Sequence, residues 1–140
     1  MAALAEMDIE IDNARAAWDS AVERGHVGHL DGALDGLCRF YEWRGRLQEG
    51  ETACQRAAEG LSAMVRPTAT ARRDRVRVLA KLWTAQSTFS GALGHTELAD
   101  QLQRQSLSLL EGPELADQDT RAEKACLFLA MGHRAHLPEP

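Results

Sequence analysis

Residues 34–57, LDGLCRFYEWRGRLQEGETACQRA, decide the fold that we expect for this chain. An apolar face recurs at three- and four-residue intervals through Leu34, Leu37, Cys38 and Tyr41, the spacing of an amphipathic helix. Gly45 interrupts the pattern, and a second helical series begins at Leu47. Because the connection between the two series is so short, the stretch predicts a pair of antiparallel helices.

Helical periodicity with Gly or Pro punctuation continues through the whole chain. Alanine, leucine and arginine are abundant and no alternating strand pattern competes, so we expect an all-α fold in one domain, 1–140. Six helices are predicted: over about 7–24, 28–44 and 47–65, from a Thr68 or Thr70 cap to Gly94, from a Thr96 cap towards Gly112, and from Asp117 or Asp119 to near His136. The fifth uses an apolar face of Leu98, Leu102, Leu109 and Leu110.

Two architectures fit six helices with short linkers, a closed bundle and an open array of helix pairs, and an internal repeat favours the array. Residues 34–57, with large residues before Gly45 and small residues after it, resemble a tetratricopeptide repeat. Related units lie around Gly94 and at Phe128…Gly132, although Gly50 replaces the usual Ala and Ser87 the usual Gly. The resemblance implies antiparallel helix pairs in a right-handed tetratricopeptide-like array.

The segment E10-I-D-N-A-R-A-A-W18 resembles a second, more specific pattern. It is similar to the segment that precedes the tetratricopeptide repeats of bacterial STAND-type (NB-ARC or LuxR-like) signal-transduction ATPases. The resemblance implies a helical-repeat segment of a larger regulator, or a free-standing relative of one. The ATPase activity of that family does not carry over, because the chain contains no G-x-x-x-x-G-K-[ST] motif. We therefore expect neither tight binding nor hydrolysis of ATP.

Tetratricopeptide repeats bind their partners along a concave face, lined by the first helix of each pair. Carried over to this chain, the resemblance assigns that face to Asp35, Arg39, Glu42, Trp43, Lys81, Thr84, Thr88, Leu129 and His133. Arg39 and Lys81 suit carboxylates, and Trp43 suits either a binding hot spot or packing at the helix end. Trp18 and Trp83 lie on apolar faces and are expected in the core.

No constellation in the sequence points to catalysis or to a metal. The three cysteines are widely spaced, so we expect free, buried thiols in a reducing cytoplasm. His26/His29 and His133/His136 have i, i+3 spacing, but neither pair has a third ligand nearby. We expect no cofactor, no metal and no enzymatic activity.

Charge is unevenly distributed in a chain whose net charge is −5. Residues 1–60 carry twelve acidic side chains against six arginines, whereas residues 61–104 carry seven basic side chains against three acidic ones. The basic stretch Arg66–Arg77 is either a site for an acidic partner or phosphate, or a solvated helix start that pairs with the acidic half. Nucleic acid is not favoured, since no aromatic residues accompany the arginines. No run of about 18 apolar residues or signal-peptide pattern occurs, so no membrane association is expected.

The segment 125–131, ACLFLAM, is apolar on all sides. No seventh helix follows to cover it, so we expect association through Phe128 and Leu129, with a second copy or with a missing part of a parent protein. The function expected for the chain is non-catalytic binding of a protein, a peptide or a small effector. Two alternatives remain, a self-assembling structural protein that stacks through its open ends and a small helical enzyme.

Overall fold

A computed structural model describes residues 2–63 and 69–135, with side chains described over 12–63 and 72–132. These residues form six α-helices and no strand, which confirms the all-α prediction. The helices are α1 Ala2–Arg24, α2 Val27–Trp43, α3 Leu47–Ser62, α4 Ala69–Ala92, α5 Thr96–Leu110 and α6 Arg121–Ala135, with a 3₁₀ turn at Pro113–Leu115.

Several helix boundaries differ from those predicted. α3 ends at Ser62, about three residues earlier than predicted. α4 already includes Thr70, so Thr70 is not its N-cap, and Thr68 lies outside the described residues. The prediction of a Thr96 cap is wrong, because His95 occupies the N-cap of α5 without a side-chain capping bond. The backbone N–H of His95 is held by the Ser90 carbonyl, and the chain re-enters a helix directly afterwards.

The start of α6 is also later than either predicted cap. Residues 113–119 form the 3₁₀ turn and the bends that follow it, and α6 begins at Arg121. Asp119 still acts as a local acceptor, because its Oδ1 accepts a 3.1 Å hydrogen bond from the backbone N–H of Arg121. His136 lies outside the described residues.

Three helices end in the same way. Gly25, Gly45 and Gly94 have φ values of +67°, +69° and +86°, in the left-handed region that glycine enters without a Cβ penalty. In each case the N–H of the following residue bonds to the carbonyl five residues back, for example Arg46 to Tyr41 at 2.8 Å. This is the Schellman arrangement, and it turns the chain into the next helix within two to four residues.

Contacts between helices establish how they are arranged. Arg15 and Asp19 of α1 reach Glu49 and Arg56 of α3 in the same order, so these two helices run parallel. The α2–α4 contacts ascend likewise, from Asp31–Lys81 to Tyr41–Phe89. By contrast, Thr84 and Ser87 of α4 meet Ser106 and Gln103 of α5, so α4 and α5 are antiparallel.

The main core lies between the first four helices. Trp18 is 3% exposed, and its indole N–H donates to the Ala53 carbonyl at 3.2 Å. Phe89 is almost fully buried and fits against Gly50, where no side chain intervenes. Trp83, expected in the core, is only partly buried. Leu98, expected on the apolar face of α5, is 38% exposed, since the buried face of that helix runs through Ala99, Leu102 and Ser106.

Small polar side chains fill the interface between α4 and α5. The hydroxyl oxygens of Thr84 and Ser106 lie 2.8 Å apart, and both are within 2.9 Å of the Ala80 carbonyl oxygen. Each hydroxyl has one hydrogen, which it donates either to that carbonyl or to the other hydroxyl. Ser87 donates to the Thr84 carbonyl at 2.6 Å. Because each hydroxyl finds an acceptor within this interface, the two helices pack closely without burying an unpaired hydroxyl.

None of the described helices combines the length and the apolar character that crossing a membrane requires.

Candidate functional site

A cavity of about 420 Å³ lies over α4, between α2 and α6. Helix α4 contacts both of the other helices and forms the floor, while α2 and α6 form the walls. Six of the nine residues expected on a concave face line it: Asp35, Arg39, Glu42, Lys81, Thr84 and Thr88. The remaining lining residues are Leu34, Cys38, Ala85, Ala122, Glu123 and Cys126. We call this cavity the α2–α4–α6 groove.

Trp43 and Leu129 do not line the groove. Trp43 follows Glu42 at the end of α2 and is 63% exposed, with the Arg44 guanidinium 5.9 Å from its ring centre. Leu129 is 73% exposed and lies one turn beyond the last lining residue of α6. His133 lies outside the residues whose side chains are described.

The positions that do line the groove follow helical spacing on each helix. On α2 they are Leu34, Asp35, Cys38, Arg39 and Glu42, and on α4 they are Lys81, Thr84, Ala85 and Thr88. These intervals place one face of each helix towards the same space. The two helices run parallel, so residues 81–88 lie beside residues 31–42, and the groove extends along both.

Charges of both signs line the groove, and they are unequally paired. Lys81 forms an ion pair with Asp31, which does not line the groove. The side chains of Arg39, Asp35 and Glu42 are exposed and make no ion pair or side-chain hydrogen bond within residues 12–63 and 72–132. Their charges are therefore available to a bound molecule.

Glu123, on α6, is a groove residue that the sequence analysis missed. Its side chain is 12% exposed, and its Oε1 lies 3.6 Å from Nη1 of Arg77, too far for a hydrogen bond. Its Oε2 is buried and accepts no hydrogen bond from the described residues. A buried acceptor without a donor costs about 1–3 kcal/mol, so this carboxylate is held in place at the expense of stability.

The register of α6 explains why Glu123 was missed. Glu123 and Cys126 line the groove from α6, as Asp35 and Cys38 line it from α2. The repeat pattern centred on Phe128 predicts Leu129 and His133 instead, which lie further along the helix. The usable signal was helical spacing from Arg121, which required knowing where α6 begins.

Two of the three cysteines also line the groove. Cys38 is half-buried and Cys126 exposed, so the expectation that all three thiols are buried holds only for Cys54. Sγ of Cys38 and Sγ of Cys54 lie 4.0 Å apart. This interaction, together with burial, raises the pKa of the Cys54 thiol well above its ordinary value, which favours the neutral, unreactive form.

A Glu–Ser–His cluster lies outside the groove, where α3 meets the α4–α5 turn. The Glu51 carboxylate accepts a hydrogen bond from the Ser90 hydroxyl and lies 2.9 Å from Nδ1 of His95. Burial alone raises the pKa of Glu51, but the bonds from Ser90 and His95 outweigh it and hold the pKa below its ordinary value. Ser90 is fully buried and bonds to the Glu51 carboxylate, so the cluster connects α3 to the end of α4 and to the turn before α5.

His26, His29 and the end of the basic stretch lie within the residues whose side chains are described. The rings of His26 and His29 stack with centres 5.1 Å apart, and no group of three metal-ligating side chains occurs within residues 12–63 and 72–132. At the end of the basic stretch, Arg77 contacts Gln118 at 3.3 Å and Glu123. Arg66 lies outside the described residues.

Comparison with protein-family models, with curated proteins and with solved structures finds no match to this chain.

Proposed function

We propose that this chain is a non-catalytic interaction module that binds a peptide segment of a partner protein in the α2–α4–α6 groove. The observation that carries the proposal is that Asp35, Arg39, Glu42, Lys81, Thr84 and Thr88 meet in one cavity. The resemblance to tetratricopeptide repeats assigns the same six positions to a binding face. Two helices that are about 50 residues apart in sequence supply them.

The size and lining of the groove suit a short peptide segment. Its volume of about 420 Å³ falls within the 300–1,000 Å³ typical of ligand sites. Unpaired charges of both signs and the Thr88 hydroxyl can fix the orientation of a bound chain. The role is proposed as non-catalytic because the lining thiol of Cys38 contacts another thiol, Cys54, instead of a base, and the buried Ser90 hydroxyl bonds to Glu51 outside the groove.

The wider setting proposed is that of a helical-repeat segment in a bacterial STAND-type signalling regulator, in the cytoplasm. Parallel α1 and α3, and parallel α2 and α4, are the relation that stacked helix pairs require, which supports the repeat interpretation. Three free cysteines are typical of a reducing compartment.

Peptide display tests the proposal. A library of random twelve-residue peptides is selected on the immobilised chain, and the enriched peptides are titrated calorimetrically. Ala122→Phe fills the groove from its α6 wall, and Ala33→Phe makes the same change at an exposed α2 position outside it. We expect the peptides to bind the wild-type chain and Ala33→Phe equally, and Ala122→Phe at least tenfold more weakly. Peptides that bind all three alike, or no enrichment at all, would contradict the proposal.

Self-assembly is the second candidate function, and one observation favours it. Phe128 and Leu129 of α6 are 52% and 73% exposed, and Met131 is 39% exposed. Adjacent exposed apolar side chains of this size usually mark an interface. Light scattering on variants of α6 tests this candidate, as set out at the end of the Discussion.

A further inference from the structure

We propose that the peptide bound in the α2–α4–α6 groove carries an arginine side chain, and that its guanidinium pairs with the carboxylate of Glu123. This inference rests on the proposed function, and it names the chemistry of the bound segment and the residue that recognises it.

The first step in the argument is the state of Glu123. A carboxylate accepts hydrogen bonds at both oxygens, yet Oε2 has no donor from the described residues and Oε1 stands 3.6 Å from Arg77. Nη2 of Arg77 donates to the Gln118 side chain at 3.3 Å, so the Arg77 guanidinium is shared between Gln118 and Glu123. Glu123 is therefore an unsatisfied acceptor in the wall of a cavity.

The second step is the balance of charge in the groove. Lys81 is neutralised by Asp31. The other charged side chains of the lining are three carboxylates, Asp35, Glu42 and the weakly paired Glu123, and one guanidinium, that of Arg39. The excess is negative, so a cationic group entering the groove gains more than an anionic one. Arg39 remains to bind a carboxylate elsewhere on the same segment.

The third step is the choice of guanidinium. Its planar fork donates two parallel hydrogen bonds to a carboxylate, whereas an ammonium is a point charge. Oε2 is covered in the unbound chain, so binding requires the Glu123 side chain to change rotamer and turn its carboxylate into the groove.

Nuclear magnetic resonance on the intact chain tests the inference. Nα-acetyl-L-arginine N-methylamide is titrated against the ¹⁵N-labelled protein. The citrulline analogue, which has the same shape but no charge, serves as the matched probe. We expect saturable shifts at the amides of Ala122, Glu123 and Cys126 with the arginine probe, and at least tenfold weaker binding of citrulline. Equal binding of the two probes would overturn the inference.

Three variants identify the residue responsible. Glu123→Gln should weaken the arginine probe at least fivefold, and Glu59→Gln, exposed on α3 away from the groove, should leave it unchanged. Arg77→Met removes the competing cation and should tighten binding at least twofold, a gain that a damaged fold would not produce. Unchanged affinity in both Glu123→Gln and Arg77→Met would overturn the inference.

The outcomes separate this inference from the proposed function. If displayed peptides lose affinity on Ala122→Phe but not on Glu123→Gln, the groove binds peptides without an arginine anchor, and only the inference fails. If neither displayed peptides nor the arginine probe bind the groove, the proposed function fails with it.

Discussion

Gly50 is the residue at which one added methyl group should do the most damage. A Cβ built there would lie 2.5 Å from Cε1 and Cζ of Phe89, which is closer than real Cβ contacts come. Phe89 is 1% exposed and has no free space to move into. We therefore expect Gly50→Ala to destabilise the fold by about 1–3 kcal/mol, the usual cost of overpacking a core, as measured by urea unfolding.

The same substitution on α2 provides the control. Gly36 lies in α2 with nothing within 4 Å of an added Cβ, so Gly36→Ala only improves helix propensity. It should stabilise the chain by up to about 1 kcal/mol. If the two variants change the unfolding free energy in the same direction, the close packing of α3 on Phe89 is not as described.

Glu51 should make the stability depend on pH. Its pKa is held below the ordinary value of 4.5 by the bonds from Ser90 and His95, despite its burial. A depressed pKa contributes stability that is present above the unfolded-state pKa and is lost as the pH falls through the folded-state pKa. Glu51→Gln should therefore cost about 1.5–3 kcal/mol at pH 5.5, as expected for bonds to a charged group, and less at pH 3, below the ordinary pKa.

The comparison needs a glutamate with the same change of charge and no such partners. Glu59 is exposed on the same helix and is contacted by Gln55 four residues earlier. The unfolding free energy of Glu59→Gln should follow that of the wild-type chain between pH 5.5 and pH 3. A gap between wild type and Glu51→Gln that stays constant over this range would show that the Glu51 carboxylate is not preferentially stabilised.

At the scale of the helices, the repeated Schellman turn is the element most open to test. Gly45 has φ +69°, and nothing lies within 4 Å of an added Cβ, so its conformation and not crowding requires glycine. Gly45→Ala should cost about 1–2 kcal/mol, and Gly45→Asn clearly less, because asparagine tolerates the left-handed region. Urea unfolding measures both, and equal costs for Ala and Asn would indicate that the turn is not left-handed.

The same helices show what sequence could predict and what it could not. Periodicity and glycine positions are local signals, so the six helices and the ends at Gly45 and Gly94 were predictable. The Glu51–Ser90–His95 cluster joins residues about 40 positions apart, and no local pattern encodes such a contact. The predicted Thr96 cap is wrong for the same reason, because the N-cap residue His95 contacts Glu51, which is distant in sequence.

Some of the groove residues could be predicted from the sequence, and others could not. Its α2 and α4 residues were predictable, because each helix presents one face at regular spacing and the two helices run parallel. Its α6 residues were not, since the repeat pattern places the third unit around Phe128, and the residues that line the groove, Glu123 and Cys126, come earlier in α6.

At the scale of the whole molecule, α6 presents large apolar side chains to solvent. Within the described part of the helix, Leu127 is fully buried, whereas Phe128 and Leu129 next to it are mostly in solvent. Exposing two large apolar side chains side by side is unfavourable by about 25 cal/mol for each Å² of apolar surface. A second copy of the chain that covers both recovers this energy, so association through α6 should increase with concentration.

Light scattering after size exclusion, from micromolar to millimolar loading, measures that association. We expect the wild-type mass to rise from 15.4 kDa towards twice that value, and Phe128→Asp or Leu129→Asp to remain at the single-chain mass because a buried carboxylate without a partner is costly. Leu98→Asp places the same charge at an exposed leucine of α5 and should associate like the wild type. A wild-type chain that stays monomeric throughout would exclude self-assembly through α6, and it would mean that a different protein covers this face.

The groove opens between α2 and α6, so a partner that occupies it can extend onto Phe128 and Leu129. In that case Phe128→Asp would weaken the displayed peptides while the mass of the free chain stays unchanged.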